Sequence, residues 1–196
     1  MTGEDPGERL RAAVREVYSG IAEQPLAEHP FPVGRRLAEA VGYAPELLRQ
    51  LPDSAVEAFA GVSCIHDFAR LRGGSVVLDL GCGAGMDSLI AARTAEQVVG
   101  VDFSPAMLER ARKAASEAGV ANVEFREGAA ESIPAADASF DVALVNGIFN
   151  LNPAREFIFS ELARVLRPGG TLYATELILA GPLPAGVDGS ATDWFA

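Results

Sequence analysis

The stretch Val76-Val77-Leu78-Asp79-Leu80-Gly81-Cys82-Gly83-Ala84-Gly85 decides the fold. An apolar run of strand length enters three glycines spaced G-x-G-x-G, and a helical pattern from Met86 to Thr94 follows directly. Strand, glycine turn and helix in that order open a βαβ unit. In a doubly wound sheet this turn lies in the crevice at the carboxyl end of the first strand. Missing Cβ atoms there let a ligand reach backbone N–H groups. The dinucleotide fingerprint reads G-x-G-x-x-G, whereas here the third glycine comes one residue early and Asp79 stands two positions before the first. That spacing disfavours an NAD-dependent oxidoreductase. A plain strand-to-helix turn is the competing explanation of the glycines.

Downstream the same grammar repeats. Gln97 to Asp102 reads as a second strand, Pro105 to Ala118 as a helix ended by Gly119, and Val123 to Arg126 as a third strand. Phe140 to Asn146 follows as a fourth strand, Pro153 to Leu166 as a helix, and Thr171 to Leu179 as a fifth strand after the turn Arg167-Pro168-Gly169-Gly170. Continuous apolar runs such as Val142-Ala143-Leu144-Val145 argue for strands buried on both faces. The fold class is therefore α/β, a doubly wound and mainly parallel sheet. Asp102, at the tip of the second strand, stands beside the glycine loop, where a carboxylate accepts both hydrogen bonds of a ribose diol and repels a 2′-phosphate. Its alternative role is to cap the next helix, for which Ser104 is the better residue.

The first 70 residues read differently. Leu10, Val14, Val17 and Tyr18 form one face of an amphipathic helix from Glu8 to Tyr18, ended by Ser19-Gly20. Pro25, Pro30 and Pro32 forbid a regular helix between Gln24 and Gly34, and Pro45 to Leu51 and Asp53 to Ala60 read as short helices. The expected organisation is a helical cap over residues 1–70, a nucleotide-binding domain over 71–180 and a Gly/Pro-rich tail over 181–196.

Sixteen basic against 27 acidic residues, a net charge of -11, disfavour nucleic acid and anionic membrane surfaces as partners. Cys64 and Cys82 belong to no Cys/His metal spacing and are too few for a disulfide scaffold, so no metal is expected and a reducing cytoplasm fits best. The acidic, polar start is unlike a signal peptide.

Together these residues resemble the class I S-adenosylmethionine-dependent methyltransferases, whose domain has a Rossmann-like sheet. Asp79 to Gly85 is similar to their first motif, Asp102 to their ribose acid, Phe140-Asp141-Val142-Ala143 to their fourth strand, and Leu166 to Gly170 to the turn before their fifth. The resemblance implies S-adenosylmethionine as cofactor, its methionine part on the glycine loop and its ribose on Asp102. Adenine would lie against Gly128 to Pro134, where Ala129 replaces a common acidic residue, with packing from Phe103 and Ile133. The implied cofactor-binding set is Asp79, Gly81, Cys82, Gly83, Gly85, Asp102, Phe103, Met107, Ala129, Ala130, Asn146 and Gly147.

Tyr18-Ser19-Gly20, Gly61-Val62-Ser63-Cys64 and Val145 to Leu151 further resemble the arsenite methyltransferases. That family captures As(III) on three cysteines, which suits a soft centre bound as thiolates. Cys64 falls where the first belongs, Gly147 stands at the second, and the third position would lie beyond Ala196. The resemblance thus implies a methyltransferase for a small-molecule acceptor lacking two of the three cysteines. Asn146 and Cys64 are the candidate catalytic residues, with Cys64 a candidate As(III) contact, and His66 a further candidate base. The family's sheet continues past the fifth strand, so this strand is expected as an exposed edge favouring a homo-oligomer. The alternative reading is a non-catalytic cofactor-binding module or an incomplete fragment of a methyltransferase.

Overall fold

A computed structural model describes residues 6–178 and 181. Five parallel strands make one sheet in the order β3-β2-β1-β4-β5: β1 (Val76–Leu80), β2 (Gln97–Asp102), β3 (Val123–Glu127), β4 (Phe140–Asn146) and β5 (Leu166–Thr175). Chain direction across the sheet reverses between β1 and β4, so the crevice at their carboxyl ends is the switch point of a doubly wound fold. The central strands are buried on both faces, with Val77, Leu78, Val98, Ala143, Leu144 and Val145 all inaccessible. This is why their sequence reads as unbroken apolar runs rather than as alternation.

Helices α5 (Met86–Ala91), α6 (Pro105–Ala118) and α7 (Arg155–Val165) link the strands. Ser104 caps α6, its side chain accepting from the Met107 N–H at 3.4 Å, with Pro105 in the first turn and Gly119 closing the helix at φ +64°. Met107, Leu108, Ala111, Ala114 and Ala115 form its buried stripe. Before the sheet come α1 (Pro6–Glu23), α2 (Gly34–Ala40), α3 (Pro45–Leu48) and α4 (Asp53–Val56). Two single turns of 3-10 helix, Ile65–Asp67 and Phe149–Leu151, lead toward and away from the sheet.

Several expectations need correction. Helix α1 runs through Ser19-Gly20 to Glu23, because Ile21 and Ala22 are buried against Ala58 and Met107. Burying Ile21 is worth ~2 kcal/mol, more than the ~1 kcal/mol that a glycine costs inside a helix. Helix α2 was not expected; its seven residues bury only Gly34 and Ala38, too little to leave a periodic signal. The helices α3 and α4 are single turns. Strand β5 begins at Leu166 and ends at Thr175, while the anticipated turn at 167–170 is an irregularity inside it, opposite Asp141. Leu179 and the tail after Gly181 lie outside the described residues. Among the described residues β5 pairs on one side only, with β4. No described helix is long and apolar enough to cross a membrane.

Candidate cofactor and acceptor site

The carboxyl ends of β1, β2 and β4, the loop at 128–131 and the inner face of α1 enclose a cavity of about 420 Å³. Asp79, Gly81, Cys82, Gly83, Asp102, Phe103, Met107, Ala129, Ala130, Asn146 and Gly147 all line it. Four expected residues lie off this wall: Gly85, Cys64, His66 and Ile133. Gly85 packs behind it, where an added Cβ would stand 2.9 Å from the Phe125 ring, and Cys64 is buried elsewhere in the cap core. Ile133 is also a core residue, so only Phe103 of the two packing candidates faces the cavity.

At one end of the cavity, strand geometry does the positioning. Gly81 takes φ +75°, and a Cβ there would stand 2.4 Å from Ile148 Cγ2, so only glycine lets the loop pass under the β4 end. The loop N–H of Gly83 donates to Asp102 Oδ2 at 2.9 Å and that of Ser104 to Oδ1 at 2.8 Å. Each oxygen of Asp102 keeps a further lone pair. Burial raises the Asp102 carboxyl above its ordinary range, against the backbone N–H groups and the Arg15 guanidinium, which favour its charge. Arg15 itself lies 5.5 Å over the Phe103 ring, and Arg11 pairs with Glu131 at 3.2 Å, so α1 closes this end.

At the other end, side chains hold one another. Asn146 Oδ1 accepts from the Val62 N–H at 2.9 Å, the Ser63 N–H at 3.3 Å and the Thr175 hydroxyl at 2.8 Å. Its Nδ2 donates to the Ser63 carbonyl at 2.9 Å and to Asp87 Oδ2 at 3.0 Å. Asp87 Oδ1 accepts from the Tyr43 hydroxyl at 2.5 Å. His66 Nε2 comes within 3.1 Å of the same oxygen, in ion-pair range, without making a hydrogen bond. Asp79, 2% exposed, accepts from the Ser88 hydroxyl at 2.5 Å. Burial first, and then the negative charge of Asp87, push its carboxyl up to about 7. The same two causes raise the Tyr43 phenol.

This arrangement revises the candidate catalytic pair. Asn146 lines the cavity, but its amide braces the 62–63 segment of the cap against β4. The Cys64 thiol faces Asp67 Oδ1 at 3.5 Å, and burial and Asp67 push it up to about 11, so it is a protonated core thiol. Cys82 lies in the wall, its thiol likewise raised by burial. Gly147 takes φ +83°, and a Cβ there would meet Val62 Cγ1 at 2.9 Å. A cysteine at this position would be both strained and crowded. Among the described residues no group of His, Cys, Asp and Glu could hold a metal ion. Sequence reasoning missed Asp87 and Tyr43. Asp87 sits one helical step beyond the glycines, but its partner Tyr43 is 44 residues away and carries no local signal.

Comparison with known proteins agrees with this geometry. Residues 71–195 match the family described as a methyltransferase domain. The chain is 36% identical over 204 residues to an arsenite methyltransferase of Halobacterium salinarum, covering 94% of this chain and 51% of that protein. It is 37% identical to the 27-O-demethylrifamycin SV methyltransferase of Amycolatopsis mediterranei, over 62% of this chain and 45% of that protein. Among solved structures, an S-adenosylmethionine-dependent methyltransferase from Mesorhizobium loti superposes with a TM-score of 0.50 at 26% identity, covering 55% of this chain and 49% of that one. The chain thus spans about half the length of the first of these relatives. With the doubly wound sheet, the glycine loop and the acid at the tip of β2 in place, the chain belongs to the class I methyltransferase-domain family, similar to arsenite methyltransferases, with S-adenosylmethionine as its cofactor.

Proposed function

We propose that this chain carries the cofactor site and part of the acceptor site of an enzyme that methylates a small molecule. The observation that supports it most is the single cavity joining Gly81–Gly83, Asp102 and the 128–131 loop at the switch point of the sheet. The residues present fit the cofactor. Asp102 has lone pairs left for a ribose diol, Phe103 and Met107 offer apolar packing for adenine beside Ala129 and Ala130, and Asp79 with the glycine loop faces the methionine part. When bound, that cofactor supplies an electrophilic methyl group on a sulfonium. The chain aligns the acceptor and excludes water, for which Phe59, Ile148 and Leu151 provide an apolar wall.

We further propose that the acceptor is not an arsenical held by three thiolates. Cys64 is off the cavity wall, and a side chain at position 147 would be strained by its φ of +83° and crowded against Val62. Both cysteines are unpaired, which fits a reducing compartment. The side of β5 that has no partner strand among the described residues offers backbone groups for association with a second copy. A second reading, a cofactor-binding module without methyl transfer, draws on the acceptor end, where Asn146, Asp87 and Tyr43 are hydrogen-bonded to one another.

Calorimetric titration with S-adenosylhomocysteine, followed by methylation assays with phenols, amines, thiols and arsenite, tests both readings. Binding with methylation of an oxygen, nitrogen or thiol acceptor supports the first. Binding with no product from any acceptor supports the second, and efficient methylation of arsenite overturns the exclusion of arsenicals.

A further inference from the structure

Helix α1 is held in different ways along its length. Its last turn is anchored. Ile21 and Ala22 are buried with Ala58, Ala84 and Met107, and the hydroxyls of Ser19 and Ser104 lie 3.2 Å apart at the start of α6. Arg110 of α6 adds a three-way tie: Nη1 donates to the Ala22 carbonyl at 3.2 Å, Nε to the Ser54 carbonyl at 3.0 Å and Nη2 to Glu57 Oε2 at 3.0 Å. The preceding turns carry the cavity-lining residues Arg11, Ala12, Val14, Arg15 and Tyr18. They meet the far wall through the Arg11–Glu131 ion pair at 3.2 Å, whose arginine is exposed, and through Arg15, 5.5 Å over the Phe103 ring.

Between the two parts stands Ser19-Gly20. Gly20 is helical, its φ is not left-handed, and an added Cβ would meet nothing within 4 Å. Neither packing nor backbone conformation calls for a glycine here. What it supplies is a soft point, because glycine loosens a helix and helices bend most readily at Gly/Ser pairs.

We propose that the Arg11–Tyr18 part of α1 is a lid over the nucleoside end of the cavity and that Ser19-Gly20 is its hinge. This rests on the reading that places the nucleoside of the cofactor at Asp102 and Phe103. Arg15 reaches Phe103 after β2, and Arg11 reaches Glu131 after β3, so α1 spans the mouth between those two loops. A nucleoside held on Asp102 lies on the inner side of that span, and its entry and release need the span raised. Raising it breaks one exposed ion pair and one cation–π contact, both weak interactions, and leaves the buried turn at 21–22 and its Arg110 tie in place. Leu10 and Val14 are buried in the closed position, so the open state is the minor one. The hinge rests on Ser104, whose N–H also braces Asp102, so lid and ribose acid share one footing.

The test reads rates rather than affinity. Surface plasmon resonance on the full chain gives the association and dissociation rate constants of S-adenosylhomocysteine. Gly20→Ala adds no contact and stiffens the hinge. It should slow both rates by about fivefold, the ratio set by the difference in helix propensity between Ala and Gly, while Kd stays within about twofold. Arg11→Gln, which breaks the latch to Glu131, should raise both rates by about twofold. If Gly20→Ala is folded by thermal unfolding and both rates stay within about 1.5-fold, α1 is a fixed wall and the proposal is overturned. A changed Kd with an unchanged association rate would mean that Gly20 shapes the bound site rather than a hinge, and overturns it too. Should Gly20→Ala unfold, Arg11→Gln decides, since rates that do not rise there also overturn the lid. Failure of the unmodified chain to bind S-adenosylhomocysteine overturns the placement of the cofactor as well, so the two failures are told apart.

Discussion

The two ends of the cavity are built in different ways. At the Asp102 end, a side chain meets backbone N–H groups of Gly83 and Ser104, whose positions follow from β1, β2 and the turns after them. At the Asp87 end, Asn146, Asp87, Tyr43 and Thr175 meet one another across segments far apart in sequence. The first arrangement needs one acid and a few glycines on a standard sheet. The second needs the cap to be docked before the hydrogen bonds of Tyr43 and of the 62–63 backbone exist. Losing one partner in such a buried network leaves the others unsatisfied, so it is the more sensitive to substitution.

The contrast can be broken by experiment, beginning with the largest effect. Asp102→Ala should weaken S-adenosylhomocysteine by ~30-fold or more in calorimetry, since it removes a charged acceptor from ligand hydroxyls and frees the Gly83 and Ser104 N–H groups. A loss below threefold would show that backbone groups alone hold the nucleoside.

Gly147→Cys, which restores the residue type that the arsenite family has there, should destabilise the fold by ~1–3 kcal/mol through the left-handed φ and the Val62 contact. Thermal unfolding should show this as a midpoint several degrees lower. An unchanged midpoint would mean that the cap shifts freely at Val62, contrary to the braced arrangement described.

Asp79 gives a pH test of the charged corner. Its carboxyl is raised in the fold from its ordinary 3.8 to about 7, so its contribution to stability is fully present below about 3.8 and is lost as pH rises through 7. Denaturant unfolding of the ligand-free chain between pH 4 and 8 should therefore show a decline that Asp79→Asn reduces. Identical profiles would show that neither burial nor the charge of Asp87 raises the Asp79 carboxyl.

The smallest effect is expected at Cys64. Cys64→Ala should leave the affinity for S-adenosylhomocysteine within about twofold, because the thiol is off the cavity wall. It costs only some stability through lost packing. A response of ligand binding to added As(III) that disappears in this variant would return Cys64 to the acceptor site.

Legibility from sequence follows the same division. The strands β1, β2 and β4, helix α6 and the glycine loop between β1 and α5 could be read because each depends on local pattern. Apolar runs, a Ser-Pro start and a Gly stop all act within a few residues. Asp102 was legible as well, since its neighbours Gly83 and Ser104 follow from the βα turns. The run of α1 past Gly20 was not, because what keeps it helical is the burial of Ile21 against Ala58 and Met107. Cys64 was misplaced for a related reason. Its spacing from the first strand matches a family position, but spacing does not say which way a side chain in a loop faces.

Sequence alone therefore settled the sheet, the cofactor class and the acid at the tip of β2, because backbone geometry transmits those choices over short distances. Only the tertiary structure decided that Asn146 is a brace, that a side chain at position 147 meets Val62, and that Asp79 and Asp87 share a corner. The first two depend on the cap segment at 61–63 packing over the sheet. Such contacts join residues 44, 59 or 84 positions apart, for which the chain carries no periodic signal.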